Sequence, residues 1–160
     1  MKTLFVAILS TVLCAVGGAS AFAQTEGRQK AADVAGIKKC LASETGQQRN
    51  ADCIGPIANA CQDQPGGSTT IGIVACLQRE EAAWDVILND NYKTTMADLD
   101  ASQQAALRKA QRAWIPSRDA DCAALWEAFK DGTIRSVIAA SCRLDATANR
   151  ALWLSAFQEP

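Results

Sequence analysis

Apolar residues along this chain recur at steps of three and four, and no alternating Val/Ile/Thr runs occur. That period belongs to helices with one buried face, so the pattern predicts an all-α protein. Val34, Ile37 and Leu41 predict a helix over 32–44, followed by a polar turn at 45–50. A second short helix is expected over 51–62, despite Gly55-Pro56. The glycine-rich run at 65–70, with Gly66, Gly67 and Ser68, reads as a flexible loop. The longest helix is expected from about Ile71 to Leu99. Leu77, Trp84, Leu88, Tyr92, Met96 and Leu99 form its apolar stripe, with Glu80, Asp85 and Lys93 left to water.

Asp100 to Gln103 offers a turn and an N-cap for the next helix, which runs to about Phe129. Its inward set is Leu107, Ala110, Trp114, Leu125 and Phe129. Pro116 has no N–H and crowds the carbonyl of Arg112, so a kink is expected there. Asp131-Gly132 stops this helix. Another starts over 133–142, and Thr147 is placed to cap a last one through Phe157. The expected architecture is a small helical bundle of antiparallel helix hairpins.

The amino terminus changes the compartment. Lys2 precedes an apolar run over 4–15, and Ala21-Phe22-Ala23 stands before the polar Gln24-Thr25-Glu26. A charged start, a short apolar core and an A-x-A site are what a signal peptidase reads. Residues 1–23 are therefore expected to be a signal peptide, leaving a periplasmic or secreted product with no membrane span, since no run reaches the roughly 20 apolar residues a span needs. Bulky Leu13 before Cys14 disfavours a lipid anchor.

Cleavage leaves six of the seven cysteines: Cys40, Cys53, Cys61, Cys76, Cys122 and Cys142. An even count in an oxidising compartment reads as three disulfides, with 15 formal connectivities. A metal site is disfavoured by the lack of a Cys-x-x-Cys pair and of any histidine. In an antiparallel hairpin, residues equidistant from the turn face each other. Cys122 and Cys142 are centred on Gly132, Cys40 and Cys53 straddle the 45–50 turn, and Cys61 and Cys76 straddle the Gly66-Gly67 loop. The expected bridges are 40–53, 61–76 and 122–142, each contributing about 2–4 kcal/mol in the chain-entropy model.

Charge adds little. The formal net charge of −1 becomes −2 once Lys2 leaves with the signal peptide, which argues against nucleic acid, whose binders carry clustered Lys and Arg. Catalysis is not expected. Without histidine there is no Ser–His or Cys–His pair, and the i,i+4 acids Glu81 and Asp85 read as solvated helix residues. No cofactor is implied.

From Cys76 onward an ordered set of residues carries a resemblance. It comprises Cys76-Leu77, Glu80, Trp84-Asp85, Leu88-Asn89 and Tyr92, then Leu107, the run from Ala110 to Ile115, Arg118-Asp119-Ala120 and Cys122, and finally Gly132, Cys142, Thr147 and Arg150. Together these resemble the LprI-like lysozyme-inhibitor domain over 71–157. Residues 34–70 resemble a cysteine-containing helical extension found in some members, and 24–33 are expected to be a flexible arm. The resemblance implies an exported bacterial helical protein with paired cysteines that inhibits lysozyme. The alternative is a cell-envelope binding or structural module whose partner is peptidoglycan, an envelope protein or its own copy.

Spacing assigns most of the signature to structure. Gln111, Trp114, Arg118 and Cys122 share one helix face, and Trp114 is expected in the core. Arg118 and Asp119 are adjacent and are expected not to pair with each other. Arg118 is expected to meet Glu80, Glu81 or Asp85, Asn89 to bond a neighbouring helix, and Arg150 to pair with Asp119 or Asp121. The candidate partner contacts are the two turns, at Gly66, Gly67 and Ser68 and at Asp131 and Arg135.

Overall fold

The computed structural model describes residues 18–43 and 50–157, with only the backbone described for 18–23 and for Asn50. Most of the expected signal peptide and nearly all of the expected 45–50 turn lie outside these residues. The described chain holds five α-helices and no strand: α1 (Gly18–Leu41), a 3-10 turn (Asn50–Cys53), α2 (Pro56–Gln62), α3 (Thr70–Asp98), α4 (Ala101–Ala128) and α5 (Ile134–Ser155). The protein is all-α, as expected.

Helix α3 is the spine. Its apolar stripe buries Leu77, Trp84, Ile87 and Leu88, and Tyr92, Met96 and Leu99 pack against the same core. The widest interface is between α3 and α5. Ala140, Leu144, Ala148 and Ala151 recur along α5 at steps of four, four and three, and all are buried. Small side chains on one stripe let the two backbones approach closely. Trp84 and Leu154 are fully buried there, each worth about 1.5–3 kcal/mol of transfer free energy. Asn91 Nδ2 donates to the Ala151 carbonyl at 2.9 Å, and Thr95 Oγ1 to that of Leu154 at 3.2 Å. Rising numbers on one helix match rising numbers on the other, so α3 and α5 run parallel. Helix α4 lies antiparallel to both in sequence, and it packs mainly on α5.

Several expectations need correction. Residues 24–33 are part of α1 and are not a loose arm. They contain no proline and are rich in Gln, Arg, Lys and Ala, which favour helix, and buried Asp33 anchors them to Arg79 of α3 at 2.7 Å. The expected second helix is split. Gly55 adopts φ 106°, and Pro56 then starts α2, where its missing N–H costs no bond. The 65–70 loop is tied down: Gly67 N–H donates to Gln64 O at 2.9 Å, and Thr69 Oγ1 donates to Gly66 O at 2.8 Å. Gly67 is buried, and a side chain there would run into the backbone of Cys61 and Gln62. Helix α5 continues through Thr147, because its apolar stripe has no break there. Thr147 is fully buried and its hydroxyl has no partner among the described residues.

Other boundaries agree with expectation. Thr69 caps α3, its side chain accepting from Gly72 N–H at 3.0 Å. Asp100 caps α4 in a reciprocal box with Gln103. Helix α4 continues through Pro116. Arg112 and Pro116 are both exposed, so water can take the carbonyl that proline leaves without a donor. The disulfides are Cys40–Cys53, Cys61–Cys76 and Cys122–Cys142, the three local clips expected from the hairpins.

Candidate functional site

The signature residues are mostly interior fastenings. Trp84 sits in the core and its indole Nε1–H donates to Glu80 Oε1 at 3.2 Å. Glu80, expected in water, is fully buried. Its carboxylate also accepts from Gly55 N–H at 2.6 Å and Ala58 N–H at 2.7 Å. Helix α2 has no side-chain cap of its own, so a carboxylate from α3 supplies one. An amphipathic pattern counts Glu80 as polar and places it outside, since it cannot see that the start of α2 brings two backbone donors to the spot.

The charged residues pair differently from expectation. Arg118 does bond its neighbour, Nε to Asp119 Oδ1 at 3.0 Å, because the long side chain folds back over the Trp114 ring 5.0 Å away. The tie from α3 belongs to Arg143 on α5, which reaches Glu81 at 3.2 Å and Asp119 at 3.1 Å. Hydrogen bonding from Arg118 foremost, with the nearby Arg143 charge, holds the Asp119 carboxyl below its usual range. Asn89 bonds within its own helix, to Asp85 O at 2.7 Å and Asp85 Oδ2 at 3.1 Å, and both residues are exposed. The cross-helix amides and hydroxyls are instead those of Asn91 and Thr95. Trp114 is half-buried against the core, and Leu88 and Tyr92 pack on the α3 stripe as expected.

Arg150 meets no carboxylate among the described residues. Its Nε donates to Gln111 Oε1 at 2.9 Å, and its guanidinium lies 4.0 Å from the Trp153 ring and 5.5 Å from that of Trp114. Its Nη2 is buried without a partner, and burial lowers its pKa.

Because α3 and α5 run parallel, the turns that precede them lie at one end of the bundle. Those turns hold the candidate contacts. Gly66 and Ser68 are exposed, and Gly67 is not available at the surface. Across from them the α4–α5 turn carries Asp131, exposed, and Arg135, half-buried. Arg135 stacks on Trp126 at 4.4 Å and donates from Nη1 to Lys130 O at 3.2 Å.

The same turn carries a feature the pattern missed. Trp126, Phe129 and Ile134 are 36%, 44% and 52% exposed, and Leu125 beside them is also exposed. Leu125 and Phe129 continue the inward face of α4 and were expected in the core. That face has nothing to enter, because α4 packs mainly on α5 and only Leu107 and Cys122 along it are buried. Four large apolar side chains within ten residues make a clustered patch rather than scattered exposure. The Cys122–Cys142 bridge clips the two helices just behind it.

Among the described residues, no group of three or more His, Cys, Asp or Glu is placed to hold a metal ion, and no helix is long and apolar enough to cross a membrane. A family model described as "Lysozyme inhibitor LprI" matches residues 61–154, more than half of the chain. The match takes in α3, α4 and nearly all of α5, with two of the three bridges. An uncharacterized protein of Rhizobium meliloti (strain 1021) is 28% identical over 123 residues, covering 67% of this chain and 88% of that protein. No solved structure matches the chain.

Proposed function

This chain belongs to the LprI lysozyme-inhibitor family, and from that premise we propose that it is an exported, non-catalytic protein that inhibits a lysozyme by binding it directly. Export rests on the leader pattern over 1–23 and on three disulfides, which form and persist in oxidising compartments and are rare in reducing ones. The lack of histidine leaves the usual nucleophile–base pairs out of reach.

The observation that carries the contact site is the exposed cluster of Trp126, Phe129 and Ile134 on a disulfide-clipped turn. Lysozyme-type enzymes hold a glycan in a cleft with two carboxylates. A rigid turn fits such a cleft with little loss of conformational entropy on binding. Trp126 and Phe129 take the place of sugar faces on the cleft wall. Arg135, stacked on Trp126, and Lys130 present positive charge towards the carboxylates. Gly66 and Ser68, at the same end, form the rim of the contact, with Asp131 beside the cations. A net charge near −2 gives only modest steering towards a basic enzyme, so affinity rests on this local fit.

The test is a cell-wall lysis assay with the oxidised mature protein against representative lysozymes. Inhibition that falls about 10- to 100-fold in Trp126→Ala, with the fold unchanged by circular dichroism, supports the contact site. Full activity of every lysozyme at micromolar excess of the protein sinks the inhibitor reading. Retention on purified peptidoglycan in that case assigns it to the class of envelope-binding modules.

A further inference from the structure

The other end of the α4–α5 hairpin holds a groove that the inhibitor reading does not use. It is a cavity of about 340 Å³ walled by Leu99, Ala106, Leu107, Ala110, Trp153 and Phe157, with Gln103 the one polar residue. That size lies at the lower end of small-molecule sites, and the apolar wall with few polar groups is their usual make-up. Phe157 packs edge-on to Trp153 at 4.8 Å, so the two rings form a continuous wall.

Arg150 borders this wall. Its guanidinium lies on the Trp153 ring at 4.0 Å and bonds Gln111, the neighbour of the wall residue Ala110. Aromatic faces and one amide oxygen are its only partners among the described residues, and Nη2 has no acceptor. A partly desolvated cation beside an apolar groove lacks its anion. An ionised carboxylate is the group a guanidinium fork binds best.

We propose that this groove binds the alkyl chain of an anionic amphiphile, a free fatty acid or similar acyl carboxylate, whose head group pairs with Arg150. The chain lies against Leu99, Leu107, Trp153 and Phe157, and the carboxylate follows the Trp153 ring to the guanidinium. The charge selects the class: an alkyl cation meets the half-buried Arg150 guanidinium as a like charge, and an alkyl alcohol leaves it without an ion.

The test is calorimetric titration of the oxidised mature protein with sodium dodecanoate, against dodecyltrimethylammonium and dodecanol as charge controls. Dodecanoate is expected to bind at micromolar concentration and the cation far more weakly. Arg150→Gln should weaken dodecanoate about 10- to 100-fold, the loss of one charge-assisted pair. Ala106→Trp, at an exposed wall position, fills the groove and should abolish binding with helicity intact, so the test survives if the Arg150 variant folds poorly. Equal affinity for anion and cation, or no dodecanoate binding at millimolar concentration, overturns the proposal. Loss of lysozyme inhibition in Ala106→Trp without dodecanoate binding also overturns it, and assigns the groove to a protein interface. Because the groove and the α4–α5 turn lie at opposite ends, failure of one reading leaves the other intact.

Discussion

The two flanks of the bundle treat polar and apolar groups in opposite ways. On the α1–α2 flank, two disulfides clip the chain and the buried acids are paired: Glu80 satisfies two backbone N–H groups and an indole, and Asp33 takes Arg79 in a two-point pair. On the α4–α5 flank, four large side chains stand in water at one end and an apolar groove opens at the other. One disulfide serves that whole hairpin. Stability is thus concentrated where the chain wraps α3, and surface fit for recognition where α4 leans on a single neighbour. Substitutions on the first flank should act on folding, and those on the second on binding.

The sharpest break is at Glu80. Glu80→Ala leaves the Gly55 and Ala58 N–H groups and the Trp84 indole without an acceptor, at about 1–3 kcal/mol for each buried group left unmet. Allowing for relaxation and water entry, urea unfolding should show a loss of about 3–5 kcal/mol, as for a broken buried charge contact. A loss below about 1 kcal/mol would place Glu80 with the surface acids. The next effect is opening the Cys122–Cys142 bridge by the double alanine variant. A closed loop of about 20 residues is worth roughly 3 kcal/mol. Here the two flanks should separate: the α1–α3 contacts survive in hydrogen exchange while the α4–α5 turn loses protection and lysozyme inhibition falls.

Which features the sequence discloses follows the same division. The apolar stripe on α3, the Asp100 cap and the three hairpin clips are local patterns, set by residues within one turn or one loop of each other, and each was legible. The burial of Glu80 depends on α2, some 25 residues away, so its helical period marked it as solvent-facing. The outward turn of Leu125 and Phe129 depends on how few helices surround α4, a count that periodicity does not contain. Arg143 taking the role expected of Arg118 has the same origin, since both arginines reach Asp119 and only the packing of α5 on α3 brings Arg143 to Glu81. Membership of the family was legible in the ordered signature. The turn at Asp131 and Arg135 was named as a candidate contact, but the exposed apolar cluster on it and the groove, which carry both functional readings, were not legible.

The third test exchanges stability for affinity. Replacing Trp126 and Phe129 together by alanine removes side chains that are already about two-fifths exposed. Folding free energy should change by about 1 kcal/mol or less. Binding to a susceptible lysozyme should weaken by about 2–3 kcal/mol, as for aromatic anchors at the centre of an interface. Paired urea curves and titrations decide it. If stability falls and binding holds, the turn belongs with the closed flank and the contrast fails.

The smallest effect is at the Asp33–Arg79 pair, and its sign is fixed by acid titration. The Arg79 hydrogen bonds, chiefly, hold the Asp33 carboxyl below its ordinary value of 3.8, against an opposing push from burial. A depressed carboxyl stabilises the fold above its unfolded value and loses that contribution as pH falls through the folded one. Arg79 is more than one-third exposed, so solvent screens the pair and its worth is about 0.5–1 kcal/mol. Asp33→Asn should therefore be less stable than the parent by that amount at neutral pH, and the two should converge as pH drops below about 3.8. The loss should appear first as faster exchange of α1 amides, with α4 and α5 unaffected. A gap between parent and variant that persists in strong acid would assign Asp33 a packing role that does not depend on its charge.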